Sequence, residues 1–270
     1  MSGERKLIIW LLVAGCLART AFLLLYDPLF FNDSNDYLQL ARIIASGDFS
    51  GYNGARTPLY PLIIILFNFN IQALVIFQFG LGLLISLIIY QSFKQIFASS
   101  QIGFATGLSY ALNPSQIVFE YALLTETVVT VLICLSFFAF IVALRKDGNQ
   151  WLALLVGILS SSAALTKPLF QFLPLLFSLI FACFFYFKIE RKLSRALTGF
   201  ALVILPACLI LGGWSFFNYN KTGTFAVTTL AGFNLSNHTG AFIEYAPEQY
   251  GQIKEIYLPV SYTHLTLPTN

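Results

Sequence analysis

Residues 71–93 read IQALVIFQFGLGLLISLIIYQSF, and this stretch decides the fold. It contains no Asp, Glu, Lys or Arg, and most of its side chains are aliphatic or aromatic. A helix needs about 20 mostly apolar residues to cross the hydrocarbon layer of a bilayer, which is roughly 30 Å thick. The stretch therefore predicts a membrane-spanning helix.

Six further stretches have the same character, although the fourth of them is short for a span. They are residues 7–26, 103–119, 124–144, 151–166, 169–187 and 196–217. The composition agrees, since 57% of the 270 residues are hydrophobic and only 10% are charged, whereas a soluble domain has about 25% charged residues. These values exclude a soluble enzyme, a disordered chain and a disulfide scaffold. We expect an all-α fold, a polytopic membrane helical bundle with about seven transmembrane helices.

The net charge and the cysteines exclude further classes of protein. The formal net charge is +3, and no run of Lys and Arg is dense enough to predict nucleic acid as a partner. The cysteines lie inside apolar runs, and no pair has the spacing of a metal or redox site. They are Cys16, Cys134, Cys183 and Cys208. We expect them to behave as small hydrophobic side chains.

The basic residues predict the orientation in the membrane, because Lys and Arg are enriched in cytoplasmic loops. A cytoplasmic N-terminus places nine of the 15 basic residues inside and five outside. The remaining one, Arg19, lies within the first span, where an ionisable side chain is costly without a partner. We expect it to face the bundle and to pair with a carboxylate.

Most acidic residues then lie on the outer side. Glu120 and Glu126 lie at one outer turn, and four aspartates lie in the first outer loop, residues 27–70. The positive-inside rule says little about Asp and Glu, so this cluster needs another explanation. We expect an active site at the outer membrane surface. The aspartates are Asp27, Asp33, Asp36 and Asp48.

The first outer loop contains helical and interfacial signals. Apolar residues share one helix face within 36–46, with Asp33 or Ser34 as the expected N-cap and Gly47 as the stop. This pattern predicts a short amphipathic helix on the membrane. Two prolines flank the sequence around Tyr60, whose ring and hydroxyl suit the headgroup level. The apolar piece that follows is too short to cross, and a juxtamembrane or re-entrant helix is expected.

Several motifs on this side resemble one family. The loop pattern is Asp33-Ser-Asn-Asp36-Tyr37-Leu-Gln-Leu-Ala41, then Gly47, then Arg56-Thr-Pro58-Leu-Tyr60-Pro61-Leu. The later motifs are Leu124-Thr-Glu126-Thr, Ala164-Leu-Thr-Lys167-Pro168 and Gly213-Trp214-Ser-Phe-Phe217-Asn218, followed by Gly223 and Gly232-Phe-Asn234-Leu235. In this order they resemble bacterial glycosyltransferase family 39 proteins of the glycosyltransferase-C superfamily. These are relatives of the protein O-mannosyltransferases and the lipid A aminoarabinose transferase. Relatives usually have Arg at the positions of Lys167 and Phe217.

The resemblance implies an integral-membrane glycosyltransferase of the bacterial inner (cytoplasmic) membrane, with its active site facing the periplasm. It implies a polyprenyl-phosphate sugar as the donor substrate and direct displacement with inversion at the anomeric carbon. The acceptor is an unidentified glycan, lipid or protein, and membrane lipid is a further expected partner. Whether a divalent cation takes part is left open, because a metal requirement varies within the superfamily.

Two carboxylates are the catalytic candidates. The family's register selects Asp33 as the base or acceptor-orienting residue, a role compatible with capping the following helix. Glu126 is the second candidate, and it assists Asp33, pairs with Lys167 or Arg56, or helps to hold a metal. Its simpler interpretation is a carboxylate that reaches the membrane interface from the end of a span. Asp36 is a secondary candidate whose simpler interpretation is a solvated residue on the helix face.

Two cations are candidates for the donor phosphate. Arg56 can bind phosphate oxygens bidentately, and Lys167 can act as a point charge. Each lies beside a proline-stiffened turn on the outer side, although each could instead anchor the protein to lipid headgroups. Tyr37 and Tyr60 are the expected interfacial residues of the loop.

The main alternative function is a transporter or flippase for lipid-linked saccharides, and a third hypothesis is a non-catalytic assembly subunit. A transporter places functional polar groups near the bilayer midplane and often has repeated halves. Here the polar residues concentrate in one outer loop, and no internal repeat is evident. The sequence therefore favours the transferase.

The end of the chain predicts a boundary. Residues 259–270 resemble the translation of a transposase-type sequencing adapter, so we expect the natural chain to continue beyond about Leu258 and this chain to be a C-terminally truncated fragment. The expected domains are a transmembrane module at 1–217 and the start of an outer segment at 218–258.

Overall fold

The computed structural model describes residues 3–145, 149–190, 193–230, 232, 242–245, 247–252 and 254–255. The adapter-like residues 259–270 lie outside this set. The described part of the chain is built from helices, without a β-strand. They are α1 (Gly3–Leu25), α2 (Asn32–Ser46), α3 (Leu59–Leu66), α4 (Ile71–Phe97), α5 (Ser100–Ala111), α6 (Pro114–Tyr121), α7 (Glu126–Arg145), α8 (Gln150–Thr166), α9 (Phe172–Phe184) and α10 (Leu193–Thr222).

Five helical segments in the described residues are long and apolar enough to cross a membrane. They are α1, α4, α7, the segment Pro168–Phe187 around α9, and α10. Helix α8 is apolar but shorter. The predicted all-α, multi-pass membrane fold is therefore confirmed. Helix α10 continues past the predicted end of the last span, at residue 217, to Thr222.

The predicted span at 103–119 is two helices, so the prediction of one continuous span was wrong. Helix α5 ends at Ala111, and α6 begins at Pro114 after Asn113, whose side chain accepts a hydrogen bond from the Ser115 backbone N–H at 3.0 Å. Proline lacks a backbone N–H and is favoured at the first position of a helix, and Asn is a favoured N-cap. Asn113 and Pro114 together therefore end one helix and start another.

Helix α4 lies at the centre of one half of the bundle, against α1, α5, α6 and α7, whereas α8 packs against α7, α9 and α10. One buried cluster joins α2, α3, α4 and the start of α7, and it includes Tyr37, Tyr60, Leu74, Leu123 and Val128. This cluster fixes the two short helices of the 27–70 loop against the spanning helices.

Arg19 forms a buried ion pair, as its position in the first span predicted. Its Nε and Nη2 donate to the two carboxylate oxygens of Glu120, each at 2.7 Å. Its Nη1 donates to the carbonyls of Gly15 and Ala111 at 3.1 and 3.0 Å. Both charged side chains are nearly inaccessible, with exposures of 3% and 1%. The pair therefore ties α1 to α6 inside the bundle.

The chain divides into two compact units, Met1–Val227 and Thr228–Asn270. The first contains α1 to α10. In the described part of the second, two short 3-10 turns lie at Ile243–Tyr245 and Glu248–Tyr250. The predicted boundary between a transmembrane module and an outer segment stays a prediction.

Candidate functional site

Helix α2 begins earlier than predicted and carries Asp33 and Ser34 in its first turn. The residue before the helix is Phe31, whose backbone N–H donates to the Ser34 hydroxyl at 2.9 Å. Neither predicted residue is the N-cap, so this prediction was wrong. The reason is tertiary, because the Ser34 hydroxyl also donates to the Leu123 carbonyl at 2.9 Å and the Asp33 carboxylate binds Arg56.

Arg56 joins the two aspartates of α2. Its Nη2 donates to Asp33 Oδ1 at 2.7 Å and to Asp36 Oδ2 at 2.8 Å, and its Nε donates to the same Asp36 oxygen at 3.1 Å. Its guanidinium carbon lies 5.1 Å from the centre of the Tyr37 ring, a distance typical of a cation–π contact. The structure therefore brings together four of the residues selected from the sequence.

The environment of Arg56 keeps it charged. Its side chain is 19% exposed, whereas Asp33 and Asp36 are 51% and 50% exposed. Burial is the largest single effect and lowers the pKa of Arg56, but the interactions with Asp36, Tyr37 and Asp33 together outweigh it, so the pKa is raised overall. Burial raises the pKa of the Tyr37 hydroxyl, so a neutral ring lies against the cation.

Glu126 and Lys167 form a second ion pair. The Lys167 Nζ donates to Glu126 Oε1 at 2.8 Å, and the two side chains are 37% and 28% exposed. Glu126 is the first residue of α7, where the positive end of the helix dipole favours a carboxylate. Lys167 follows the last residue of α8. Of the alternatives considered for Glu126, the structure shows pairing with Lys167.

The two catalytic candidates, Asp33 and Glu126, line one cleft. It has a volume of about 430 Å³ and is lined by Phe30, Phe31, Asn32, Asp33, Phe119, Leu124 and Glu126. Its lining combines three aromatic rings and a leucine with an amide and two carboxylates. A cleft that presents apolar side chains beside a few polar groups can bind a ligand that has both kinds of surface. Asp36 and Arg56 also line a smaller cavity of about 60 Å³ beside Gln39 and Tyr52.

Residues 120–125, here called the connector, hold Asp33 and Glu126 near one another. Leu29 pairs with Ala122 as a β-bridge, in which the Leu29 N–H donates to the Tyr121 carbonyl at 3.1 Å. The Leu123 N–H in turn donates to the Leu29 carbonyl at 3.0 Å. Together with the bond from Ser34 to Leu123, these contacts fix the first turn of α2 against the chain that leads directly to Glu126.

Tyr60 lies inside the protein instead of at the headgroup level. It is fully buried, its ring meets the Tyr37 ring edge-on at 5.3 Å, and its hydroxyl donates to Gln78 Oε1 at 2.8 Å. Sequence reasoning missed Gln78, which is one of three glutamines within the apolar run 71–93. It also missed Thr57, whose buried hydroxyl donates to the Thr166 carbonyl at 3.1 Å. This bond links the loop that carries Arg56 to the end of α8.

The motif at the end of α10 packs on the same loop. The Tyr52 hydroxyl donates to Asn218 Oδ1 at 2.5 Å. Phe217, which stands where relatives usually have Arg, contacts Phe49 at 5.1 Å and stacks on Trp214 at 4.9 Å between ring centres. This position is therefore part of an aromatic cluster. The final part of the predicted motif, at 233–235, lies outside the described residues.

Within the described ranges, no group of three or more His, Cys, Asp or Glu side chains is arranged to hold a metal ion. The acidic candidates instead face basic residues, in the pairs given above.

The described residues form a multi-pass, all-α membrane protein with one cleft at which two carboxylates are each paired with a cation. A family model described as dolichyl-phosphate-mannose-protein mannosyltransferase matches residues 58–211. Because this is more than half of the 270 residues, the chain belongs to that family and is a membrane glycosyltransferase. The matched range includes Glu126 and Lys167, whereas Asp33, Asp36 and Arg56 precede it. No curated protein and no solved structure matches the chain.

Proposed function

We propose that the protein transfers a sugar from a polyprenyl-phosphate donor to an acceptor hydroxyl, with inversion at the anomeric carbon. The observation that carries this proposal is the cleft lined by Asp33 and Glu126, each of which is paired with a cation. Family membership supports glycosyl transfer as the reaction. The acceptor is a glycan, lipid or protein.

The cations and the aromatic side chains of the cleft fit the two parts of such a donor. Phe30 and Phe31 are 55% and 46% exposed at the cleft, which suits contact with an isoprenoid chain in a membrane. Arg56 and Lys167 supply positive charge beside it. A donor of this kind is a phosphodiester with one negative charge, and the departing lipid phosphate carries two. Cations placed here therefore stabilise the transition state more than the bound donor.

Asp33 is the proposed base, and Asp36 is the proposed anchor of Arg56. The acceptor oxygen forms a bond to the anomeric carbon while the bond from that carbon to the phosphate oxygen breaks, and its electron pair stays on the phosphate. The acceptor proton passes to Asp33. Arg56 binds Asp33 through Nη2 alone but binds Asp36 through both Nε and Nη2. Asp33 can therefore exchange its bond to Arg56 for the acceptor while Arg56 stays in place.

Glu126 has a supporting role in this proposal. Its carboxylate holds Lys167 at the cleft in the absence of substrate, and the phosphate of the donor replaces it as the partner of Lys167. The side of the membrane follows from the basic residues: we place the cleft on the outer side of the bacterial inner membrane, with the N-terminus in the cytoplasm.

The test compares two aspartates on one helix. The purified protein in liposomes is supplied with labelled polyprenyl-phosphate sugars and candidate acceptors, and Asp33→Asn is measured beside the matched control Asp36→Asn. We expect Asp33→Asn to lower kcat by about 10²–10⁴-fold, as for the loss of a general base. Asp36→Asn should act mainly on the KM for the donor. Equal kcat for wild type and Asp33→Asn refutes the assignment, and lipid movement across the bilayer without sugar transfer favours the flippase.

A further inference from the structure

Gln78 is a fully buried amide in the first third of α4. Its Oε1 accepts a hydrogen bond from the Tyr60 hydroxyl at 2.8 Å. Its Nε2 donates hydrogen bonds to the carbonyls of Glu120 and Ala122, both at 2.8 Å. Because the two carbonyls can only accept, the amide nitrogen must face them. One side chain thus contacts α3 on one side and the connector on the other.

The connector is held between Gln78 and the chain that enters α2. Gln78 binds the carbonyls of residues 120 and 122, whereas Leu29 and Ser34 bind those of residues 121 and 123. Four consecutive carbonyls are therefore bound alternately from two sides. The connector leads directly to Glu126, the residue that binds Lys167 at the cleft.

The other bond of Gln78 leads to Arg56. Tyr60 packs edge-on against Tyr37, and the Arg56 guanidinium lies over the Tyr37 ring. All three residues belong to the 27–70 loop, which also meets the spanning helices through apolar contacts in the same cluster and through the bonds of Thr57 to Thr166 and of Tyr52 to Asn218. The amide of Gln78 is thus a polar link between the group around Arg56 and the group around Glu126.

The choice of an amide here needs a reason beyond packing. A polar side chain in a membrane-spanning helix is expensive and commonly serves a function, and an apolar side chain of similar volume could fill the same space. A buried polar network whose members are all hydrogen-bonded gives rigidity. Each polar atom of Gln78 has a partner.

We propose that Gln78 is a positioning residue that sets the placement of Glu126 and Lys167 relative to Arg56 and Asp33. This inference rests on the proposed function, because the two ion pairs must face one donor phosphate. Gln78 does not touch the cleft, and it acts through the connector and through Tyr60. A displacement of about 1 Å at a reacting group can lower a rate by as much as 100-fold.

The test uses Gln78→Met, which conserves volume and removes all three hydrogen bonds. The matched control is Ser86→Ala on the same helix, because the buried Ser86 hydroxyl donates to the Gly82 and Leu83 carbonyls of α4 itself. Hydrogen exchange is followed by mass spectrometry, and kcat and KM are measured with a labelled polyprenyl-phosphate sugar. We expect Gln78→Met to speed exchange in peptides covering 57–64 and 120–126 and to lower kcat at least tenfold, with a smaller change in KM.

A second variant separates positioning from general destabilisation. Tyr60→Phe removes one of the three bonds, and combining it with Gln78→Met should lower kcat no further than Gln78→Met alone, because both changes break one network. Unchanged exchange in both peptides overturns the link, and faster exchange with unchanged kcat overturns the positioning role. If the wild type transfers sugar from no lipid donor, the proposed function fails, and exchange alone then decides whether Gln78 joins the two segments.

Discussion

A single methyl group on Gly82 should break the buried pair of Arg19 and Glu120. Gly82 lies in α4 with the Glu120 carboxylate directly against its Cα, so a Cβ built there overlaps all three carboxylate atoms. The carboxylate cannot move aside without losing Arg19, which binds both of its oxygens at 2.7 Å. Gly80, two residues earlier on the same helix, is exposed and would place a Cβ in open space.

The two substitutions therefore differ in location and not in chemistry. Separating one partner from a buried ion pair costs about 3–5 kcal/mol, and we expect this loss for Gly82→Ala. Gly80→Ala should be neutral or stabilise by up to about 1 kcal/mol, because Ala favours helix more than Gly.

Thermal unfolding of the detergent-solubilised protein, followed by tryptophan fluorescence, measures the difference. We expect a markedly lower melting temperature for Gly82→Ala and a value at or above wild type for Gly80→Ala. Identical melting temperatures for the two variants would show that the pair adapts to a methyl group, and the packing argument would then be refuted.

Two further predictions concern the loop that carries Arg56. Arg56→Lys should raise the KM for the lipid donor about tenfold, because an ammonium cannot replace a guanidinium that binds two carboxylates and that we propose to bind the donor phosphate. Steady-state kinetics check this, and an unchanged KM contradicts it. Thr57→Val leaves the buried Thr166 carbonyl without its donor and should cost about 1–2 kcal/mol. Its melting temperature should fall below that of Thr198→Val, where the exposed hydroxyl donates within its own helix; equal values count against the Thr57 link.

The fold class followed from composition because the apolar runs are long and nearly free of charge. The stop of α2 at Gly47 was equally predictable, since its φ of 72° is a conformation that glycine adopts at little cost. The break between α5 and α6 was missed because mean hydropathy over 103–119 outweighed the local effect of Asn113 and Pro114. The N-cap of α2 was missed because the partners of Asp33 and Ser34 come from elsewhere in the chain.

For the candidate site, the types of residue were predictable and their partners were not. Asp33, Glu126, Arg56 and Lys167 could be selected because charges are rare here and each is costly in or near a membrane. Arg56 binds both aspartates, and Lys167 binds Glu126. This pairing depends on where α2, α7 and α8 meet.

The sequence by itself determined that this chain is a helical, multi-pass membrane protein with its scarce carboxylates concentrated at two places, because hydrophobic length and charge are local properties. The tertiary structure alone decided that these places share one cleft. It did so through contacts between distant residues, such as Gln78 with the connector and Ser34 with Leu123. Such contacts depend on complementary donors and acceptors meeting in three dimensions, and spacing along the chain does not encode them.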